Sequence, residues 1–170
     1  MGKESYFVRA IDNINEWVGK ITSYLVLFLI VVILYEIFTR YFLNRPTIWV
    51  HEISAFIFGV SIMLGGGYTL LYRAHVNMDI IYSRFSQRGK AILNLVTSIL
   101  FFSFALVLIW MGGEFALNSL KALETSSTTW DPPIYPIKLT IPIGGVLLLL
   151  QGLSKFIRDL SIAIKGGEAT

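Results

Sequence analysis

The sequence predicts an all-α integral membrane protein with four transmembrane helices, both termini in the cytoplasm and an N-terminal amphipathic interfacial helix before the first span. Of its 170 residues, 55% are hydrophobic and only 15% are charged. In an ordinary soluble domain about a quarter of the residues are charged. Four apolar segments recur along the chain, each long enough with its flanks for the ~20 residues that cross a bilayer. We therefore expect one membrane domain spanning residues 1–170.

Charged, aromatic and proline residues set the boundaries of the predicted segments. Asn44, Arg45 and Pro46 end the first span, because proline removes a backbone donor and disfavours helical geometry in the residue before it. The segments are an amphipathic helix at 4–20, spans at 21–42, 49–72, 91–117 and 138–158, a cytoplasmic loop at 73–90, a periplasmic loop at 118–137 and a cytoplasmic tail at 159–170.

Residues 4–20 place apolar side chains at three-to-four-residue spacing, with charged residues between them. This pattern is typical of an amphipathic helix that lies in the membrane interface. It also fits an extension of the first span, since periodicity alone cannot place a bend. The first apolar run is longer than the core of a signal peptide and no small-residue cleavage site follows it, so we expect the amino terminus to be retained.

The distribution of lysine and arginine predicts the orientation. Four spans place the amino terminus, the middle loop and the carboxyl terminus on one side, which carries ten of these residues, against four on the other. Cytoplasmic segments are enriched in Lys and Arg, so both termini are expected inside. The ten are Lys3, Arg9, Lys20, Arg73, Arg84, Arg88, Lys90, Lys155, Arg158 and Lys165, and the four are Arg40, Arg45, Lys121 and Lys138.

Several function classes are disfavoured by what the sequence contains. The chain has no cysteine, which removes disulfides, thiolate nucleophiles and Cys-ligated metal sites. His51 and His75 lie at opposite ends of one predicted span, roughly 36 Å apart by helix rise, and cannot ligate one haem within a chain. No catalytic, metal or phosphate-binding motif is present. We therefore expect no enzyme, cofactor or metal site. The net charge of +3 lies mostly on one side of the membrane and does not indicate nucleic-acid binding.

Ionisable residues cluster at the outer end of the first two spans. Glu36 and Arg40 lie one helical turn apart, so a local ion pair would reduce the cost of burying either charge. Glu52 lies a few residues inside the second span, and an intramembrane carboxylate is a candidate for proton or cation handling. We favour instead a structural ion pair of Glu52 with Arg40 or Arg45, because the centres of the spans contain few polar groups.

Glycines and tryptophans mark candidate contact positions. Small residues let membrane helices approach closely, and the candidate helix-packing positions are Gly59, Gly65, Gly66, Gly67, Gly112 and Gly113. The run 65–67 would equally fit an irregular turn. Trp17, Trp49 and Trp130 are predicted interface anchors, since tryptophan is enriched at headgroup level. The proline-rich segment 132–136 favours an extended, ordered loop.

The polar cluster after the second span contains Arg73, His75 and Asp79. As a solvated basic loop it would contact anionic lipid headgroups. Apolar residues alternate with the polar ones, so the segment would equally dock on protein.

The order of these features resembles a known family. RYFLN (Arg40, Tyr41, Phe42, Asn44) is followed by W-x-x-E (Trp49, Glu52), a span with a glycine cluster including Gly65, and R-x-H-V-N-M-D (Arg73, His75, Val76, Asp79). This arrangement is similar to the small membrane (Q) subunit of tripartite ATP-independent periplasmic (TRAP) transporters. The motif residues lie in the first half of the chain, and the four-span topology extends the resemblance over the rest.

The resemblance implies a secondary active importer of organic anions in the bacterial inner membrane. A periplasmic binding protein would deliver the substrate to a large multispanning (M) subunit, which carries the substrate and sodium sites and moves as an elevator. The small subunit would be a non-catalytic scaffold that also contacts membrane lipid. Arg40 and Glu52 would then be structural, Arg73, His75 and Asp79 would order the cytoplasmic turn, and the loop 124–136 would contact either the binding protein or the M subunit.

Two other functions fit parts of the sequence. A membrane anchor of a respiratory or redox complex would also be a small helical membrane protein. A self-sufficient small transporter is disfavoured, because a coupled ion path needs several polar groups at mid-membrane depth.

Overall fold

The computed structural model describes residues 6–72 and 87–165, which form helices with short connections. The helices are α1 (Tyr6–Tyr41), α2 (Val50–Leu71), α3 (Gln87–Lys121), the one-turn α4 (Tyr135–Lys138) and α5 (Thr140–Lys165). Four helical segments are long and apolar enough to cross a membrane, namely Tyr6–Tyr41, Val50–Leu71, Gly89–Lys121 and Tyr135–Ile164. The predicted all-helical fold with four possible spans is therefore confirmed.

The four long helices pack in the order α1, α2, α5, α3. α1 packs along α2, α2 along α5, and α5 along α3, while α1 meets α5 only over a short stretch. The fourth long helix of the chain thus lies inside the bundle, between the second and the third. We call the end of the bundle with the 42–49 and 122–134 connections the loop end. The opposite end, which holds the first residues of α1 and the last residues of α5, is the terminal end.

Segment 4–20, predicted as an interfacial helix, is from Tyr6 onward the first part of α1, which runs without interruption for 36 residues. Its inner positions, Val8, Ile11, Asn15 and Gly19, are buried against the bundle. The apolar stripe that the sequence pattern shows is therefore used for helix packing. The structure has the alternative that the pattern allowed, an extension of the first span.

Glycines on α5 allow its central position. A Cβ atom at Gly144 would lie 2.3 Å from the carbonyl oxygen of Met63 on α2, and one at Gly152 would lie 2.2 Å from the Phe101 ring on α3. In lipid there is no hydrophobic drive between helices, so close backbone approach and dispersion contacts supply much of the association energy. α5 therefore contacts α2 and α3 at positions where any larger side chain would separate the helices.

The candidate packing glycines differ in what surrounds them. A Cβ atom at Gly67 would collide with the Asn15 side chain at 1.9 Å, and one at Gly112 would lie 2.6 Å from Ile141. Gly66 would make an ordinary contact with Leu148 at 3.5 Å, and Gly65 would only reach Thr22 at 4.0 Å. Gly59 and Gly113 have nothing within 4 Å. The glycine run lies inside α2 and is helical throughout.

Two of the long helices are followed, within three residues of their ends, by a residue in the left-handed conformation. After α3, Leu123 has a φ of 46°, while the Glu124 N–H donates to the Ser119 carbonyl at 3.0 Å and the Leu123 N–H to the Leu120 carbonyl at 3.2 Å. These two bonds form a Schellman motif, which satisfies the last carbonyls of a helix. After α1, Asn44 has a φ of 52°, a conformation that asparagine tolerates better than most residues. Of the predicted cytoplasmic loop 73–90, residues 73–86 lie outside the described residues, and residues 87–90 belong to α3.

A matched pair of glycine substitutions tests the packing of α5. We expect Gly144→Ala to lower the free energy of unfolding by about 1–3 kcal/mol, the usual cost of overpacking. Gly59→Ala adds the same methyl group in open space, so it should be neutral or stabilise α2 by up to about 1 kcal/mol through helix propensity. Thermal unfolding of the purified chain in detergent measures both. Equal effects would contradict the close contact of α5 with α2.

Candidate functional site

Polar side chains that hydrogen-bond between separate elements form two clusters, one toward each end of the bundle, whereas the buried Thr22 and Thr39 hydroxyls bond to carbonyls within α1. The loop-end cluster consists of Glu36, Arg40, Thr47, Glu52, Ser126 and Thr128, and the terminal-end cluster of Asp12, Asn15, Gln151, Ser154 and Arg158. Glu52 is 8% exposed, while Asn15, Gln151 and Ser154 are at most 1% exposed. Burying such groups is costly unless hydrogen bonds compensate, so their partners define what each cluster does.

Glu36 ties the first connection back onto α1. Its Oε1 accepts hydrogen bonds from Arg40 Nε at 2.9 Å and Nη2 at 2.6 Å. Its Oε2 accepts from the Thr47 backbone N–H at 3.2 Å and from the Thr47 hydroxyl. One carboxylate thus neutralises a charge on its own helix and fixes the chain three residues before α2 begins. The Tyr35 and Trp49 rings stack with centroids 5.9 Å apart beside it.

Glu52 joins α2 to the connection between α3 and α4. Its Oε1 accepts hydrogen bonds from the Thr128 hydroxyl at 2.8 Å and from the Ser126 hydroxyl. Its Oε2 is buried and has no hydrogen-bond partner among the described residues. The structure therefore gives Glu52 partners other than the predicted Arg40 or Arg45. Arg40 is engaged by Glu36, because a residue four positions away on the same helix is nearer than one on the next helix.

The 122–134 connection is an ordered hairpin. Thr125 and Pro133 form a β-bridge, the Ser126 N–H donates to the Pro132 carbonyl at 2.9 Å, and the Ile134 N–H donates to the Glu124 carbonyl at 3.0 Å. The predicted extended loop is thus folded back on itself. This fold positions Ser126 and Thr128 for their hydrogen bonds with Glu52.

Lys138 closes the hairpin at its base. Its ammonium group donates to Glu124 and lies 4.1 Å from the centroid of the Phe115 ring. The hydrogen bond from Lys138 lowers the pKa of Glu124 below its ordinary value. A cation–π contact and an ion pair at one ammonium group connect the hairpin, α3 and α4.

The terminal-end cluster joins α1 to α5. The Asp12 carboxylate accepts hydrogen bonds from Gln151 Nε2 at 2.9 Å, Ser154 Oγ at 3.1 Å and Arg158. Asn15 Nδ2 donates to Gln151 Oε1 at 2.9 Å and to the Ile11 carbonyl at 3.2 Å. The network ties two helices that share only a short contact.

Sequence reasoning missed this second cluster. Asp12 and Asn15 lie in the segment 4–20 predicted as an interfacial helix, and Gln151 lies in the predicted span 138–158, where no role is predicted for it. A usable signal was present, because Gln151 and Ser154 lie three residues apart and so share one face of α5. A paired amide and hydroxyl on one face of a membrane helix indicate a polar partner on a neighbouring helix.

The remaining candidate residues are two tryptophans and the polar residues that follow the second span. Trp17 is 65% exposed and Trp130 is 39% exposed, as side chains at a lipid headgroup level can be. Arg73, His75 and Asp79 lie outside the described residues. Among residues 6–72 and 87–165, no three His, Asp or Glu side chains come together as metal ligands do.

The geometry defines a class: a multispanning membrane protein in which Glu52, Asp12 and Gln151 join separate helices and connections. Comparison with known proteins gives the family. The sequence pattern of the family described as "Tripartite ATP-independent periplasmic transporters, DctQ component" matches residues 29–161. The chain belongs to this family, and the resemblance predicted from its motifs is confirmed.

One curated relative covers nearly the same length. The chain is 24% identical over 159 residues to the small permease protein SiaQ of a sialic acid TRAP transporter from Vibrio cholerae serotype O1, covering 92% of this chain and 87% of that protein. Members of the family are multi-pass proteins of the bacterial inner membrane. They work with a large membrane subunit and a periplasmic binding protein.

A double-mutant comparison tests the partners of Glu52. We expect Glu52→Gln and Thr128→Val to show a coupling energy of about 0.5–3 kcal/mol, because the two groups share a hydrogen bond. Glu52→Gln and Arg40→Gln should add within about 0.5 kcal/mol, as independent sites do. Unfolding of the purified chain in detergent gives all the values. Strong coupling between Glu52 and Arg40 would instead support the ion pair predicted from the sequence.

The base of the hairpin should respond to acid. The lowered pKa of Glu124 means that its bond with Lys138 stabilises the fold fully above the ordinary glutamate pKa and is lost as pH falls through the lowered value. We expect wild type to unfold at a higher temperature than Glu124→Gln at pH 7, and the difference to shrink below pH of about 4.5. Thermal unfolding of both proteins from pH 7 to 3 measures it. A difference that grows on acidification would contradict this ion pair.

Proposed function

We propose that this chain is the fixed scaffold subunit of a sodium-coupled, binding-protein-dependent importer of organic acids. The observation that carries the proposal is where the chain places its polar groups. Glu36, Glu52 and Asp12 hold helix ends together, while between the clusters the helices meet through glycines such as Gly144. A subunit that carried substrate would need polar groups at mid-membrane depth.

The substrate class is inferred from the relative and the family. SiaQ is named for sialic acid, which is an organic acid. At 24% identity we do not assign the substrate named for SiaQ to this chain, and we propose only the substrate class. The residues that select the substrate would lie in the large subunit and the binding protein, and sodium coupling would also reside in the large subunit.

The proposed orientation places the terminal end in the cytoplasm and the loop end in the periplasm. Lys and Arg support it, because ten of them lie on segments of the proposed cytoplasmic side and four on the other. The Glu52 hairpin would then face the periplasm, where the binding protein acts. In this orientation Arg73, His75 and Asp79 belong to the cytoplasmic turn and contribute to its order.

The absence of cysteine from the chain allows a clean test of orientation. We expect Arg45→Cys, at the loop end, to react with a membrane-impermeant maleimide in cells whose outer membrane is permeable. Tyr6→Cys, at the start of α1 on the terminal end and 88% exposed in the wild type, should react only after the inner membrane is opened. Mass-tag labelling detected by gel shift measures both variants. The reverse pattern would invert the proposed topology.

The scaffold role is tested by separating assembly from transport. We expect Glu52→Ala to lower the yield of the assembled complex, because it removes the acceptor for the Ser126 and Thr128 hydroxyls. The sodium dependence of uptake by the complex that does assemble, reconstituted in proteoliposomes, should be unchanged. A normal yield with an altered sodium stoichiometry would show that Glu52 takes part in transport. Uptake by the chain alone would replace the scaffold role with that of a self-sufficient transporter.

A further inference from the structure

One outward surface of α3 differs from the other lipid-facing surfaces of the bundle. A groove with a volume of about 380 Å³ lies on it, lined by Trp110, Gly113, Glu114, Leu117, Asn118 and Lys121. We call these six residues the Glu114 face. Trp110 is 77% exposed, and Glu114, Asn118 and Lys121 are exposed as well. By contrast, the exposed side chains of α1 between Val26 and Leu34 are aliphatic or aromatic.

Glu114 is a carboxylate that points out of the bundle within a membrane-spanning helix. It lies seven residues before Lys121, about 10 Å along the helix axis, and so on the apolar side of the helix end. In the described part of the chain Glu36, Glu52 and Asp12 all accept hydrogen bonds from other elements, whereas Glu114 makes no hydrogen bond or ion pair there. Ionisable side chains in spans are costly and almost always pair inside a protein.

Gly113 gives a second reason to expect a neighbour. The adjacent Gly112 is explained within the chain, because a Cβ atom there would lie 2.6 Å from Ile141. A Cβ atom at Gly113 would meet nothing within 4 Å, although glycine inside a helix costs up to about 1 kcal/mol relative to alanine. Small residues beside exposed polar ones are typical of surfaces where another membrane helix approaches closely.

We propose that the Glu114 face is the surface on which a helix of the large membrane subunit docks, with a Lys or Arg of that helix opposite Glu114 and its backbone close to Gly113. This inference rests on the proposed scaffold function and adds the face and the chemistry of the contact. Hydrocarbon chains of lipid would leave the carboxylate unpaired. A second copy related by a two-fold axis along the membrane normal would bring Glu114 to the depth of another Glu114, and like charges repel.

Photo-cross-linking in the assembled complex tests the position of the contact. A benzophenone amino acid replaces Trp110 on α3 in one variant and Val31 on α1 in the other. Val31 is 62% exposed and lies on the helix at the opposite edge of the packing order. The proposal requires a cross-link from position 110 to the large subunit, and none from position 31. A cross-link from position 110 to lipid alone or to a second copy, or one from position 31 to the large subunit, overturns it.

Charge variants test the chemistry. Loss of one partner of a buried charge pair weakens binding strongly, so Glu114→Lys should reduce the copurified large subunit at least about tenfold. Glu114→Gln should reduce it less, and the thermal midpoint of the isolated chain should stay at the wild-type value in both variants. Unchanged copurification with Glu114→Lys overturns the proposal while leaving the scaffold function standing. If wild-type chain recovers no large membrane subunit, the proposed function fails and the docking surface fails with it.

Discussion

The close approach of α5 to α2 at Gly144 determines how the rest of the bundle is arranged. The backbone of Met63 occupies the space that a side chain at Gly144 would need, so α5 lies directly against α2 and displaces α3 to the outer side. Because lipid offers no hydrophobic drive for helix association, this contact depends on surfaces that fit without gaps. The order α1, α2, α5, α3 follows, with the last span of the chain in an inner position.

Close packing holds the middle of the bundle, and polar ties hold its ends. Glu52 connects the start of α2 to a hairpin that is 74 residues further along the chain, and Asp12 connects α1 to α5 across 139 residues. Both sets of hydrogen bonds join elements at places where no described glycine brings those elements together. A bundle tied toward both ends and closely packed at Gly144 and Gly152 between them resists relative sliding of its helices, which is the mechanical property that the proposed scaffold role needs.

The sequence predicts those features that depend on composition or on local spacing. Hydropathy and length indicate four helical spans, and the four-residue spacing of Glu36 and Arg40 suffices to place them together because both lie on one helix face. The family motif, from Arg40 through Glu52 and the glycine cluster to Asp79, indicates the family from the sequence alone. These features need no knowledge of which helices are neighbours.

The sequence does not predict which residues from distant segments come into contact. The hydroxyl partners of Glu52 come from a hairpin whose fold depends on the Schellman turn at Leu123 and on Lys138, and no local spacing encodes that combination. The same holds for glycines, since Gly112 and Gly113 are adjacent in sequence but lie about 100° apart around the helix axis. One therefore faces Ile141 and the other open space.

The continuous α1 helix shows how one pattern supports two structures. Periodic apolar residues in 4–20 fit a helix on a membrane surface as well as a helix that packs on protein, because both bury one face. The deciding residues are polar: Asn15 and Asp12 find partners on α5, and a helix lying in the interface would have left those partners unsatisfied. Gln151 is 1% exposed, and burying its amide costs free energy unless α1 supplies a hydrogen-bond partner. The hydrogen-bond requirement of the buried Gln151 amide thus accounts for the path of α1, whose Asn15 is more than 130 residues away in sequence.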